Sequence, residues 1–188
     1  MLFVLLFAAC LNTTTYPLHY CAINTYEVFA LGKPRQTGTW KIPPLVKICK
    51  ELNISRTRVQ IAIAYWKNIG YEFHDVLYDH DSPECFGADY GSGIIITGGT
   101  QDLPEDLLAV TRTSINITTG NIVKSKIFIR QKDVNRPRVL EHELGHALGW
   151  KHYPQSMHIM HPEWEKGGYY NSGMRKKEPK EENGYNDN

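Results

Sequence analysis

The chain has 188 residues, 41% of them hydrophobic, and a formal net charge of +1. That is long enough for one domain with a proper core and short for two. The near-neutral balance gives no case for nucleic acid or an acidic membrane surface as partner, and no internal repeat is visible.

Met1 to Ala9 is an uninterrupted apolar run that ends in small residues before Cys10. It is too short to span a bilayer and reads as a secretory signal over residues 1–10, in one form a bacterial lipoprotein signal with a lipid anchor at Cys10. No Lys or Arg precedes the run, so a start further upstream or an odd hydrophobic N-terminus are the alternatives. With Cys10 set aside, Cys21, Cys49 and Cys85 remain. Cys49 with Cys85 is the preferred disulfide because both fall inside the expected domain, free buried thiols being the other reading. Asn12, Asn53 and Asn116 each open an Asn-x-Ser/Thr site, relevant only to a eukaryotic secretory route.

Residues 11–39 carry little periodicity and are expected as a lead-in segment, GKPRQTGTW reading as loop. The domain is expected over residues 40–170. Leu45 to Cys49 is a short strand after Pro43 and Pro44. Ser55 then caps a helix whose Val59, Ala62, Ile63 and Trp66 share one face, with Gly70 at its C-terminal cap. Tyr71 to Tyr78 follows as a second strand, which makes a β-α-β opening. The acidic stretch from Asp79 to Pro104 surrounds a strand-like GIIITGG at Gly93 to Gly99. Asp79, Asp81, Glu84 and Asp89 offer carboxylates for Ca2+, but their spacing matches no calcium loop, and solvated loop acids are the plainer account. His74 and His80 are stray imidazoles that a second zinc could use. Leu107 to Arg112 and the apolar Ile122, Ile127 and Ile129 are strands either side of a turn at Thr118 to Asn121, and Pro137 leads into a helix that ends at Gly149. After Arg175 lysines and glutamates mix with Asn and Gly, so residues 171–188 are expected as a disordered charged tail.

The chemistry is concentrated at Glu141 to Pro162, EHELGHALGWKHYPQSMHIMHP. His142, Glu143, His146, Gly149 and His152 spell HExxHxxGxxH, a match that average residue frequencies produce by accident about once in 10^5 chains of this length. Residues four apart share a helix face, so His142 and His146 can offer two imidazole nitrogens to one metal ion. Gly149 permits the positive φ that stops the helix and brings His152 in as third ligand. Three ligands leave zinc's fourth position open, as in catalytic sites, with Glu143 as the general base toward water.

These residues, with Met160 following His152 and Pro162 following Met160, resemble the metzincin metalloproteases and are most similar to the matrixins. The resemblance implies an α+β fold: a twisted, mostly parallel sheet with an antiparallel edge strand, two long helices at Ser55 to Gly70 and Pro137 to Gly149, and a methionine-containing turn in which Met160 floors the zinc site. It implies a zinc endopeptidase, with one catalytic Zn2+, acting on protein or peptide substrates; the chain is expected as a monomer, and the N-terminal run and cysteine usage point outside the cytoplasm or to the cell envelope. Leu108, Ala109 and Val110 would lie on the edge strand along which substrate is laid. Trp164, Tyr169 and Tyr170 would wall the pocket beyond the scissile bond. The place of the tyrosine ligand of astacins and serralysins is held by Pro162, so no such ligand is expected. Histidines for a structural zinc are missing from LLAVTR and SKIFIR, and LHYCAI around Cys21 does not resemble the latency motif of matrixin precursors. The rival reading is a zinc-holding shell kept as a binding module with proteolysis lost; retention of Glu143 speaks against it, because holding zinc does not need that carboxylate.

Overall fold

The structure, a computed structural model, describes residues 32–86, 91–98, 103–104 and 107–176. The expected signal run, Cys10, Asn12, Cys21, Asp89 and residues 177–188 of the tail lie outside the described residues. The chain divides after Gly32 into two units, and the second, from Lys33 onward, carries every strand and helix of the described residues.

This unit is α+β. Five strands, β1 (Val46–Cys49), β2 (Val76–His80), β3 (Gly93–Gly98), β4 (Ala109–Ile115) and β5 (Ile122–Ile129), form one mixed sheet in the order β2-β1-β3-β5-β4. All neighbours are parallel except β4, which runs antiparallel to β5 on the sheet edge. β3 owes its central place to Ile94, Ile95 and Ile96, all fully buried; a strand covered on both faces needs apolar residues without alternation. Ile94 and Ile96 join the main core with the two helices, while Ile95 packs on the other face against Cys49 and Cys85. Those two cysteines form the expected disulfide, tying the end of β1 to a short 3-10 turn at Pro83–Phe86.

Helix α1 (Arg56–Lys67) begins as expected: Ser55 Oγ accepts from the Arg58 amide at 3.2 Å, and Val59, Ala62, Ile63 and Trp66 are buried. Helix α2 (Val139–Ala147) is only nine residues, shorter than Pro137 to Gly149. Arg138 holds φ 69° and keeps the helix from starting at Pro137, and Gly149 at φ 95° turns the chain away after its end. The second strand also differs from Tyr71 to Tyr78. Tyr71 and Phe73 are buried, but pairing starts only at Val76, because Gly70 (φ 95°) redirects the chain and Tyr71 Oη donates to the Met174 carbonyl (3.1 Å) and accepts from Trp150 Nε1 (2.9 Å). The same contacts explain why residues 171–176 are packed rather than tail: Met174 is fully buried and the Lys176 amide donates to Ile69 O at 3.1 Å. At the other end residues 33–39 belong to the compact unit, with Gln36 bridged to Trp150 and Thr39 to Asn121.

The described acids of the Asp79 stretch face cations rather than one another. Asp79 lies 3.7 Å from Arg56, Asp81 pairs with Lys50, and the buried Glu84 pairs with Lys47 (2.8 Å) and His80 (2.5 Å). His74 pairs with Asp75 at the surface, so neither stray histidine is in a metal-capable group among the described residues. Within the described residues no helix is long and apolar enough to cross a membrane.

Candidate metal centre

One turn of α2 places His142 and His146 on the same face, and the turn at Gly149 returns His152 to them. His146 Nε2 lies 3.1 Å from His142 Nε2 and 3.1 Å from His152 Nε2. The other ring nitrogens settle what these contacts are. His142 Nδ1 donates to the Ile159 carbonyl and His146 Nδ1 to the Trp150 carbonyl, each at 2.7 Å. A ring nitrogen facing a carbonyl must carry the proton, so both Nε2 atoms present bare lone pairs to one another. Lone pairs that close repel unless a cation sits among them. Nitrogens bound tetrahedrally to zinc at about 2.0–2.1 Å stand roughly 3.3 Å apart, so the donor set fits that ion in type, number and spacing. The other metal-capable group among the described residues, Cys49, Glu51 and Cys85, has its sulfurs spent in the disulfide.

Desolvation in the cluster favours the neutral form of these rings, of which His142 and His146 are half-buried and His152 is exposed. Desolvation pushes His142 down to about 4, with a smaller contribution from the neighbouring His152, and holds His146 well below its ordinary value. His152 is lowered too, by burial and then by Lys151. Protons therefore compete weakly for the ligand nitrogens near neutral pH. Glu143 is buried beside them, and burial lifts its carboxyl to about 7, against the pull of a hydrogen bond from Thr111 Oγ1 to its Oε2 at 2.5 Å. A carboxyl poised there can take and return a proton at neutral pH.

The surroundings are built around the same helix. Met160 is fully buried with its Sδ against Gly145, where any side chain would collide with that sulfur and with Trp66. The turn that carries Met160 also supplies the Ile159 carbonyl that orients His142. Arg58 of α1 reaches the buried Glu141 with two bonds of 2.9 and 2.5 Å, and Trp66 Nε1 donates to the Glu141 carbonyl at 2.9 Å. Sequence reading passed over Thr111, Gly145, Glu141 and the two orienting carbonyls. Only Gly145 left a signal, because a glycine inside a helix costs about 1 kcal/mol and signals a close approach.

Of the three edge-strand candidates, only Ala109 turns its backbone outward. The Arg130 amide donates to Leu108 O at 3.2 Å, and antiparallel partners alternate, so Leu108 and Val110 face β5 while the N–H and C=O of Ala109 face away from it, on a side where no strand pairs among the described residues. Trp164 stands beside the start of α2, stacked by Arg136 (4.8 Å) and Arg138 (4.6 Å), with its Nε1 on the Pro137 carbonyl. Tyr169 leans instead on Tyr65 of α1 (centroids 6.1 Å apart), and Tyr170 is half exposed, its amide on Met157 O. Compared with protein-family models the chain matches none, and no curated protein matches it.

Proposed function

We propose that the chain is a zinc-dependent metalloendopeptidase of the metzincin type, most similar to the matrixins. The observation that carries this reading is the convergence of three imidazole Nε2 atoms, two of them left bare because backbone carbonyls hold the ring proton on Nδ1, beside a buried carboxyl lifted to about 7. His142, His146 and His152 would hold the ion, which when bound supplies Lewis acidity to a carbonyl and acidifies water. Glu143 accepts the proton of the attacking water and returns it to the leaving amine. Thr111 holds one carboxylate oxygen of Glu143, fixing its orientation for that transfer. An extended peptide pairs with the outward N–H and C=O of Ala109, which selects for backbone rather than sequence. Trp164 is the aromatic best placed to wall a pocket next to α2. The antiparallel edge strand, the Gly149 turn and Met160 under Gly145 support the metzincin type. An exported protein suits the apolar N-terminal run and the disulfide.

The test is cleavage of a quenched, labelled casein by the purified protein with zinc, with chelator, and as Glu143→Ala with its zinc content measured. Cutting by wild type and loss in the zinc-loaded variant support the assignment. Undiminished cutting by a metal-verified apo protein would end it.

A further inference from the structure

Two of the three ligands sit on α2, and the helix itself spaces them. His152 does not. It is delivered by the chain from Ala147 to Lys151, in which the carbonyls of Ala147, Leu148 and Gly149, at and just past the helix end, have no partner within the helix. Residues 35–40 supply those partners. Trp40 Nε1 donates to Ala147 O (2.9 Å), Gln36 Nε2 to Leu148 O (2.8 Å), and the Thr37 amide (2.9 Å) and Oγ1 (3.1 Å) to Gly149 O. The Lys151 amide in turn donates to Arg35 O at 2.9 Å. The Gly38 carbonyl fills the space a Cβ at Gly149 would need, so only a residue without a side chain fits this positive-φ turn against the segment.

Helix-end carbonyls elsewhere are routinely satisfied by water or by local turns. Here a segment more than 100 residues earlier fixes them in consecutive order up to the turn before the ligand. The same turn includes the Trp150 carbonyl that orients His146. His152, by contrast with the other two rings, has no carbonyl contact of its own among the described residues, so its place depends on its backbone.

We propose that residues 35–40 form a strap whose Gln36, Thr37 and Trp40 are positioning residues for the metal ligand His152. The proposal rests on the three-histidine zinc reading. Its consequence is that the affinity of the site is set in part by a segment that touches neither metal nor substrate, as outer-shell partners of metal ligands do.

The experiment measures zinc affinity of the purified chain by competition with a chromophoric chelator, with unfolding of the metal-free protein followed alongside. Gln36→Ala/Thr37→Val removes the side-chain bonds to Leu148 and Gly149 and is expected to weaken zinc binding about 10- to 100-fold in a protein that still folds. Thr37→Ser, which keeps the hydroxyl, retains the parent affinity. The pair is then placed in a His152→Ala background. A loss that shrinks there shows the strap acting through His152; a loss that does not shrink, or parent-like affinity of the folded pair, overturns the proposal. Should the pair fail to fold, Trp40→Phe removes one donor and keeps an aromatic ring, and is read by the same cycle. A parent chain that binds no zinc would instead defeat the three-histidine reading itself.

Discussion

Replacing Glu143 by Gln separates the chemistry of the site from the cost of burying its carboxyl. In the metal-free protein burial lifts Glu143 from the ordinary 4.5 to about 7. A carboxyl whose folded-state pKa is raised favours the fold when protonated, so that stability is fully present below about pH 4.5 and is lost as pH rises toward 7. The loss has a ceiling on the order of 3 kcal/mol and levels off above pH 7. Glutamine stays neutral, and its carbonyl oxygen still accepts from Thr111. The difference in unfolding free energy between Glu143→Gln and wild type, both metal-free, should therefore climb from pH 4.5 to 7 and stay flat at higher pH. His142 titrates in both proteins and cancels in the difference. Zinc should shrink the gap, because a cation near the carboxylate favours its charged form. With zinc verified, hydrolysis of labelled casein should fall about 10^2- to 10^4-fold, the usual reach of a general base. Denaturant unfolding at stepped pH gives the first quantity and a fluorogenic assay the second. A pH-independent difference would refute the burial argument, and a zinc-loaded variant with wild-type turnover would refute the role of the base.

Gly145→Ala drives a methyl into Met160 Sδ and Trp66 in a packed core, and should destabilise the protein by about 1–3 kcal/mol, read from its urea midpoint. The Cys49→Ser/Cys85→Ser pair opens a loop of sequence separation 36, for which chain entropy alone gives about 4 kcal/mol of lost stability; zinc affinity should be unchanged, since the bridge lies on the opposite face of the sheet. Zinc content followed by dialysis at falling pH should hold well below the 6.5 of a free imidazole and drop as pH approaches 4, because His142 takes up a proton only near there and His146 is likewise held well below its ordinary value. Release that is already complete at pH 6.5 would contradict the neutral ligand set.

Much of the site was legible because its spacing is local. Four residues on a helix and one glycine decide where His142, His146 and His152 go, and those offsets are written in the chain itself. The first helix was legible for the same reason, since Ser55 and the face from Val59 to Trp66 are defined within about four turns. What failed to show was set by distant partners. The start of α2 slipped from Pro137 to Val139 because Arg138 is held by Trp164, 26 residues later, both by stacking and by its Nη1 on the Trp164 carbonyl. The pairing of β2 slipped because Tyr71 is claimed by Trp150 and Met174.

Thr111 is the most instructive omission. In the sequence it opens the polar run from Thr111 to Ser114, and nothing local separates it from Thr113. Only the register of β4 against β5, and the packing of α2 over that face, bring its hydroxyl to Glu143 across 32 residues, while Thr113 Oγ1 reaches the His146 carbonyl one turn further on. The edge strand thus joins two roles on one backbone: its side chains at Thr111 and Thr113 bond to the helix that carries Glu143, and its N–H and C=O at Ala109 face away from β5, where on the proposed reading a peptide would pair. A substitution in β4 that slips the register by one residue would exchange those faces, removing the hydroxyl from Glu143 and turning the backbone of Ala109 toward β5 together.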